Sequence, residues 1–163
     1  MKGGLLVLAL VAGAGPLRAQ VRPPAVGDVA PVVVVNDLDD HPVRVGVAPG
    51  KRGAVIEFWA TWCEVCAALM PNVAAAHAKY GDRVDFIGVN VTVNENKGRV
   101  KRFVEQHRPP FRTVYDTAGV SQRAFGASTT SYVVIVDASG RIRYTGSGAK
   151  QDLTAALAKV VGQ

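Results

Sequence analysis

Cysteine is nearly missing from this 163-residue chain. There are two, too few for a disulfide scaffold, and at positions 63 and 66 they stand too close together to staple distant loops. Histidine is also scarce, and His77 and His107 stand outside any zinc-ligand spacing, which argues against a four-ligand zinc site built on the cysteines. Acidic side chains number 13 against 19 Lys plus Arg, giving a net charge of +6 and a pI near 9.6. The basic residues are scattered, however, and only Lys97–Arg102 groups several, so the pattern is that of a solvated basic surface and not of a nucleic-acid-binding face. Mild attraction to acidic partners or anionic lipid is the most that the charge implies. No apolar run reaches the roughly 20 residues that span a bilayer. What is present is a well-mixed composition, 48% hydrophobic and 20% charged, which excludes disorder and coiled coil and predicts one core.

Residues 1–19 have the layout of an export signal: Lys2, an apolar run from Leu5 to Ala14, a break at Gly15-Pro16, and small Ala19 before a polar residue. The expected cleavage follows Ala19, with Leu17 and Arg18 making an imperfect site. An uncleaved run would serve as a loose membrane anchor. No cysteine lies there to carry a lipid. Cleavage would remove Lys2 and Arg18 and lower the net charge to +4. The expectation is an exported, periplasmic or extracytoplasmic protein in which 20–163 form a single domain, in a compartment where disulfides can form.

From Val32 the chain alternates strand-like and helix-like blocks. Val32–Val35 and Val43–Val47 flank a polar turn and predict a hairpin packed at an edge. Ala54–Ala60 is nearly continuous apolar sequence, as in a strand buried on both faces, and Glu57 is its anomaly. From Cys63 to Tyr80 the residues Val65, Leu69, Val73, Ala76 and Tyr80 recur at helical spacing, with Pro71 inside. Val84–Val91 predicts a second interior strand, Lys97–His107 a helix closed by Pro109-Pro110, Thr113–Tyr115 a short strand, and Gly119–Phe125 a brief helix. Tyr132–Val136 and Arg141–Tyr144 predict a hairpin around Asp137–Gly140, and Ala149–Val161 a closing amphipathic helix. The fold class is α/β, a central mixed sheet with helices on both faces.

Chemistry concentrates at Trp62-Cys63-Glu64-Val65-Cys66. One helical turn separates the two sulfurs and lets them close a small disulfide. At a helix start, unpaired backbone N–H groups favour negative charge and lower the Cys63 thiol pKa, which makes Cys63 the expected nucleophile and Cys66 the resolving thiol. Glu64 is expected exposed and opposes that effect slightly. Glu57, an acid on an interior strand, is the expected proton acceptor for Cys66, the alternative being a strand whose Glu57 faces water. Trp62 is expected to pack over the disulfide. Other readings of the cysteines are a structural disulfide inside a binding module, half of a zinc site, and Cu(I) held by Cys63 and Cys66 with help from Met70, as in a metallochaperone or an assembly factor for an oxidase copper site.

The series Glu57–Cys66 with Met70-Pro71 resembles the thioredoxin superfamily, and in particular the exported thioredoxin-like proteins of the cytochrome c maturation and TlpA/ResA type. Ala30-Pro31, Asp37–Asp39 with Pro42-Val43, Pro110-Phe111 and Phe125-Gly126 extend the resemblance over most of the chain. It implies a thioredoxin fold with extra N-terminal strands and one inserted helical segment at Lys97–His107. It also implies thiol–disulfide oxidoreductase activity, more as reductant than oxidant, on cysteines of protein partners such as apocytochrome c or a respiratory assembly factor. No cofactor beyond the Cys63–Cys66 disulfide is implied. A membrane electron-donor protein is the expected source of electrons, and a monomer the expected state. Glu57 falls at the position of the buried acid of cytoplasmic thioredoxins, but the lysine that partners it has no counterpart in Phe86–Asn90.

The departure lies at 130–132. The family places a cis-proline six residues before the aspartate of the last hairpin, and here that position is Ser131, between Thr130 and Tyr132. A cis bond to a non-proline costs about 2.5–4 kcal/mol, so the loop is expected to be trans, with a rearranged backbone. Thr130, Ser131 and Tyr132, with Trp62, are the expected substrate-binding or shielding residues, and Ser131 offers a hydroxyl to a sulfur.

Overall fold

The strand Gly53–Trp59 (β3) is buried at every position and organises the molecule. In the computed structural model, which describes residues 22–161, it is the middle of a five-stranded sheet. The export signal expected over residues 1–19 lies outside the described residues. β3 pairs in parallel with Val84–Asn90 (β4), which pairs in parallel with Arg112–Tyr115 (β5). On its other side β3 pairs antiparallel with Tyr132–Asp137 (β6), which forms a hairpin with Ile142–Gly146 (β7). Parallel neighbours need crossovers, and helices supply them. Glu64–Tyr80 (α1) joins β3 to β4, and Lys97–His107 (α2) lies between β4 and β5. Val120–Ala124 (α3) precedes β6, and Leu153–Val161 (α4) closes the chain.

Side chains alternate across a strand, and the sheet carries a separate apolar cluster on each face. Val55, Val133 and Ile135 pack with Leu69, Val73 and Ala76 of α1 and with Leu153 and Leu157 of α4. Ala54, Ile56, Phe58, Val134 and Val136 face the opposite cluster, with Val100 of α2, Phe125, and Val35, Val43 and Val45 of the N-terminal hairpin. The mixed sheet with helices on both faces is thus the one the block pattern predicts. α2 spans the expected residues because both of its ends are locally encoded: the Asn96 side chain accepts the Arg99 N–H at 2.9 Å, and Arg108 turns to φ 45° before Pro109.

The first two strands, Val33–Asn36 (β1) and Pro42–Val45 (β2), form the expected hairpin as a small sheet of their own, set against edge strand β5 of the main sheet by a bridge between Asp37 and Val114. One element differs from expectation. The last helix begins at Leu153 and not at Ala149. Residues 149–151 are drawn aside, because the Asn72 amide donates to the Ala149 and Gln151 carbonyls and the buried Gln151 side chain donates to Ser131 O and Gly148 O. Asp152 then accepts the Ala155 N–H as a cap.

The β6–β7 turn is held by one carboxylate. Asp137 Oδ1 accepts hydrogen bonds from Ser139 N, Ser139 Oγ and Arg141 N, and Oδ2 accepts one from Arg143 Nε. Burial pushes its pKa up, but the bonds from Ser139, Arg141 and Arg143 outweigh that and hold it at about 2. Asp137→Ala is expected to lower stability by about 2 kcal/mol, a value kept modest because Arg143 is partly exposed to solvent. Urea unfolding checks it. Because the folded pKa lies below the ordinary 3.8, this contribution is present above pH 4 and fades as pH falls through about 2.

Candidate active site

Cys63 stands where β3 has ended and α1 begins. Its backbone is extended (φ −84°, ψ 96°), so it is the N-cap residue and not a member of the first turn, and its sulfur accepts the Cys66 N–H at 3.0 Å. A sulfur in that position faces the backbone donors that the helix leaves unpaired, the arrangement that favours a thiolate when the pair is reduced. The structure holds the oxidised pair, Cys63 Sγ bonded to Cys66 Sγ at 2.06 Å with the Cα atoms 5.2 Å apart. Both cysteines are buried, within the cluster that contains Phe58, Trp59 and Phe125.

Glu57 is 1% exposed, and neither carboxylate oxygen has a hydrogen-bond partner among the described residues. The possibility of a water-facing Glu57 is thereby overturned. Desolvation pushes its pKa up to about 8. Its immediate neighbours in register are Gly88 and Val133. A side chain at Gly88 would force Phe111 to move, because its Cβ would lie 2.2 Å from the Phe111 ring. Phe111 thus fills the space over the residue paired with Glu57. Glu57 is in phase with Val55, on the face covered by Leu69, Val73 and Ala76 of α1, while Cys66, the first buried residue of that helix, packs in the cluster with Phe58 and Trp59.

The remaining expected residues are placed less uniformly. Trp62 is 47% exposed, and its indole N–H donates to Val93 O at 2.8 Å, which ties it to the loop after β4. Glu64 is exposed, as expected. Thr130 and Tyr132 are half-buried, and the Tyr132 ring lies 6.1 Å from that of Phe58. Ser131 is fully buried at φ 59°, in the left-handed region, and the described residues contain no cis peptide bond. Its N–H donates to Phe58 O at 2.8 Å, and its carbonyl accepts from Gln151 Nε2 at 3.0 Å. The hydroxyl expected to reach a sulfur is buried and makes no hydrogen bond among the described residues.

Sequence reasoning passed over Glu95. Its side chain has no exposure, and it accepts hydrogen bonds from Thr61 N at 2.5 Å and Thr61 Oγ1 at 3.0 Å, next to the cysteine pair. Within Asn94-Glu95-Asn96 it reads only as a polar entry to a helix, and no local signal marks it as buried.

Comparison with known proteins agrees with this geometry. The model of the family described as Redoxin matches residues 25–160. The thiol–disulfide oxidoreductase ResA of Geobacillus thermodenitrificans is 31% identical over 132 residues, covering 79% of this chain and 74% of its own. Among solved structures, StoA from Bacillus subtilis superposes with a TM-score of 0.64 at 20% identity, covering 79% of this chain and 96% of its own. A secreted Mycobacterium tuberculosis disulfide oxidoreductase homologous to E. coli DsbE superposes at 0.65 and 22% identity, covering 78% and 95%. A disulfide of CxxC spacing at a helix N-cap, on a thioredoxin fold with this match, places the chain in the redoxin family as a ResA-like thiol–disulfide oxidoreductase of the thioredoxin superfamily.

Proposed function

We propose that the protein reduces cysteine pairs of protein partners outside the cytoplasm, with Cys63 as the attacking thiol. The observation that carries this is the N-cap position of Cys63, whose sulfur accepts the Cys66 N–H; the buried Glu57 is the candidate proton acceptor on the strand that leads to it. The Cys63 thiolate attacks one sulfur of a partner disulfide, forming the Cys63–partner bond and releasing the partner's other sulfur as a thiolate that takes up a proton. Cys66 gives its proton to Glu57, whose raised pKa matches that of a thiol, and attacks Cys63 Sγ. This breaks the mixed disulfide, releases the partner fully reduced and leaves Cys63–Cys66 oxidised. Two electrons have passed to the partner, and an external dithiol must return them. An exported location is supported by the signal-like layout of residues 1–19 and by the likeness to the secreted mycobacterial disulfide oxidoreductase.

The reduction potential of the Cys63–Cys66 couple tests the direction. A value near −270 mV, as in thioredoxin, is expected, and one near −120 mV would make the protein an oxidant. The Cu(I) alternative separates in the same preparation: stoichiometric Cu(I) uptake by the reduced form, without turnover of a disulfide, would replace the reductase reading.

A further inference from the structure

Residues 91–96, between β4 and α2, are built to a particular shape. Thr92 and Asn94 sit at φ 59° and 54°, in the left-handed region that non-glycine residues occupy only when their surroundings hold them there. The holding bonds are present. Thr92 N donates to Asn90 Oδ1 at 3.1 Å, Thr92 Oγ1 to Asp116 O at 3.3 Å, and Glu95 N to Thr92 O at 3.3 Å. This shape delivers two acceptors to the segment just before Cys63. The Glu95 carboxylate takes the Thr61 N–H and hydroxyl, and Val93 O takes the Trp62 indole N–H. Asn90 Nδ2 lies 3.5 Å from Glu95 Oε1, and Arg99 approaches Oε2 at 4.0 Å from the solvent side.

A carboxylate with no exposure is costly unless its oxygens are used, and here they are used on the active-site loop. Capping α2 does not account for it, since that cap is Asn96. We infer that Glu95 is a positioning residue of the disulfide-exchange site: by clamping Thr61 it fixes the backbone entering Cys63 and so the N-cap placement of the Cys63 sulfur. That placement carries chemistry, because a reacting atom displaced by about 1 Å can lose about a hundredfold in rate. The inference rests on Cys63 being the attacking thiol.

The test uses the full chain and three variants, with the pH dependence of Cys63 alkylation and kcat/KM toward a small disulfide as readouts. Glu95→Ala is expected to raise the Cys63 thiol pKa and lower kcat/KM about tenfold or more. Glu95→Gln is expected to restore most of both, because its amide oxygen still accepts the Thr61 N–H while its NH2 donates to the Thr61 hydroxyl. Thr61→Val, which removes the hydroxyl bond alone, should fall between. A fall in the Cys63 pKa of equal size in Glu95→Ala and Glu95→Gln would overturn the inference, since the carboxylate would then act only through its charge. Lower thermal stability with unchanged pKa and rate in Glu95→Ala would also overturn it. If Glu95→Ala does not fold, the Thr61 pair decides: a raised pKa in Thr61→Val that is absent in Thr61→Ser supports the clamp, and equal values refute it. Failure of the underlying reading looks different, since the unaltered chain would then show no reactive thiol that Cys63→Ser removes.

Discussion

Cys63→Ser is expected to reduce disulfide exchange to the uncatalysed background, whereas Cys66→Ser is expected to keep the first attack and lose the second. The two sulfurs are chemically alike and three residues apart, so any difference between them must come from their positions. Cys63 Sγ sits at the N-cap and accepts the Cys66 N–H, while Cys66 lies one turn in, on the buried stripe that continues through Leu69 and Val73. Only the first can meet a partner's sulfur with its charge stabilised by helix donors. With Cys66 replaced, the Cys63–partner bond forms and nothing inside the protein breaks it, because the chain contains no third cysteine. Non-reducing electrophoresis after incubation with a disulfide-containing protein reads this directly. A Cys66→Ser adduct that disappears on further substitution of Cys63 is the expected result. An adduct carried by Cys66 in the Cys63→Ser protein would reverse the assignment of attacking and resolving thiols.

The second large effect is expected at Glu57. In the folded protein its pKa is pushed up to about 8 by burial, against an ordinary 4.5 in the unfolded chain. Between these values the folded protein holds a proton that the unfolded chain has released. Stability from this group is therefore complete below pH 4.5 and lost progressively as pH rises to about 8, by a total on the order of 5 kcal/mol. Asp137 does not obscure the window, since its transition lies near pH 2. Glu57→Gln should flatten the decline in urea midpoint between pH 5 and 8, measured on the oxidised protein so that no thiol titrates. Glu57→Leu should go further and stabilise the fold above pH 8, because it replaces two unpartnered polar atoms with apolar ones beside Val133. Both variants should slow resolution of the mixed disulfide by about a hundredfold, the usual scale for loss of a proton acceptor. A pH profile unchanged in Glu57→Gln would remove Glu57 from both roles.

The same two residues show what is legible in a chain of this kind. A carboxylate interrupting the run Ala54–Ala60 signals a buried acid without any structure, because a fully apolar strand has no solvent face to receive it. Cys63 and Cys66 are legible for a similar reason: their relation is three residues of local helix geometry. α2 matched its expected span because Asn96 and Pro109 mark its ends within the segment itself. Trp62 was harder. Its neighbour in sequence is the disulfide, yet its indole N–H is claimed by Val93, 31 residues away, and nothing near Trp62 encodes that bond.

By itself, the sequence determined the redox pair, the anomalous acid, the order of strands and helices, and the lack of a proline at Ser131, all of which depend on composition and spacing over a few residues. Tertiary structure decided the rest. It set the N-terminal hairpin against edge strand β5, buried the Ser131 hydroxyl without a partner among the described residues, placed Phe111 over Gly88, the residue paired with Glu57, and brought the Glu95 carboxylate to Thr61. Each depends on segments distant in the chain that come together only when the whole sheet is assembled.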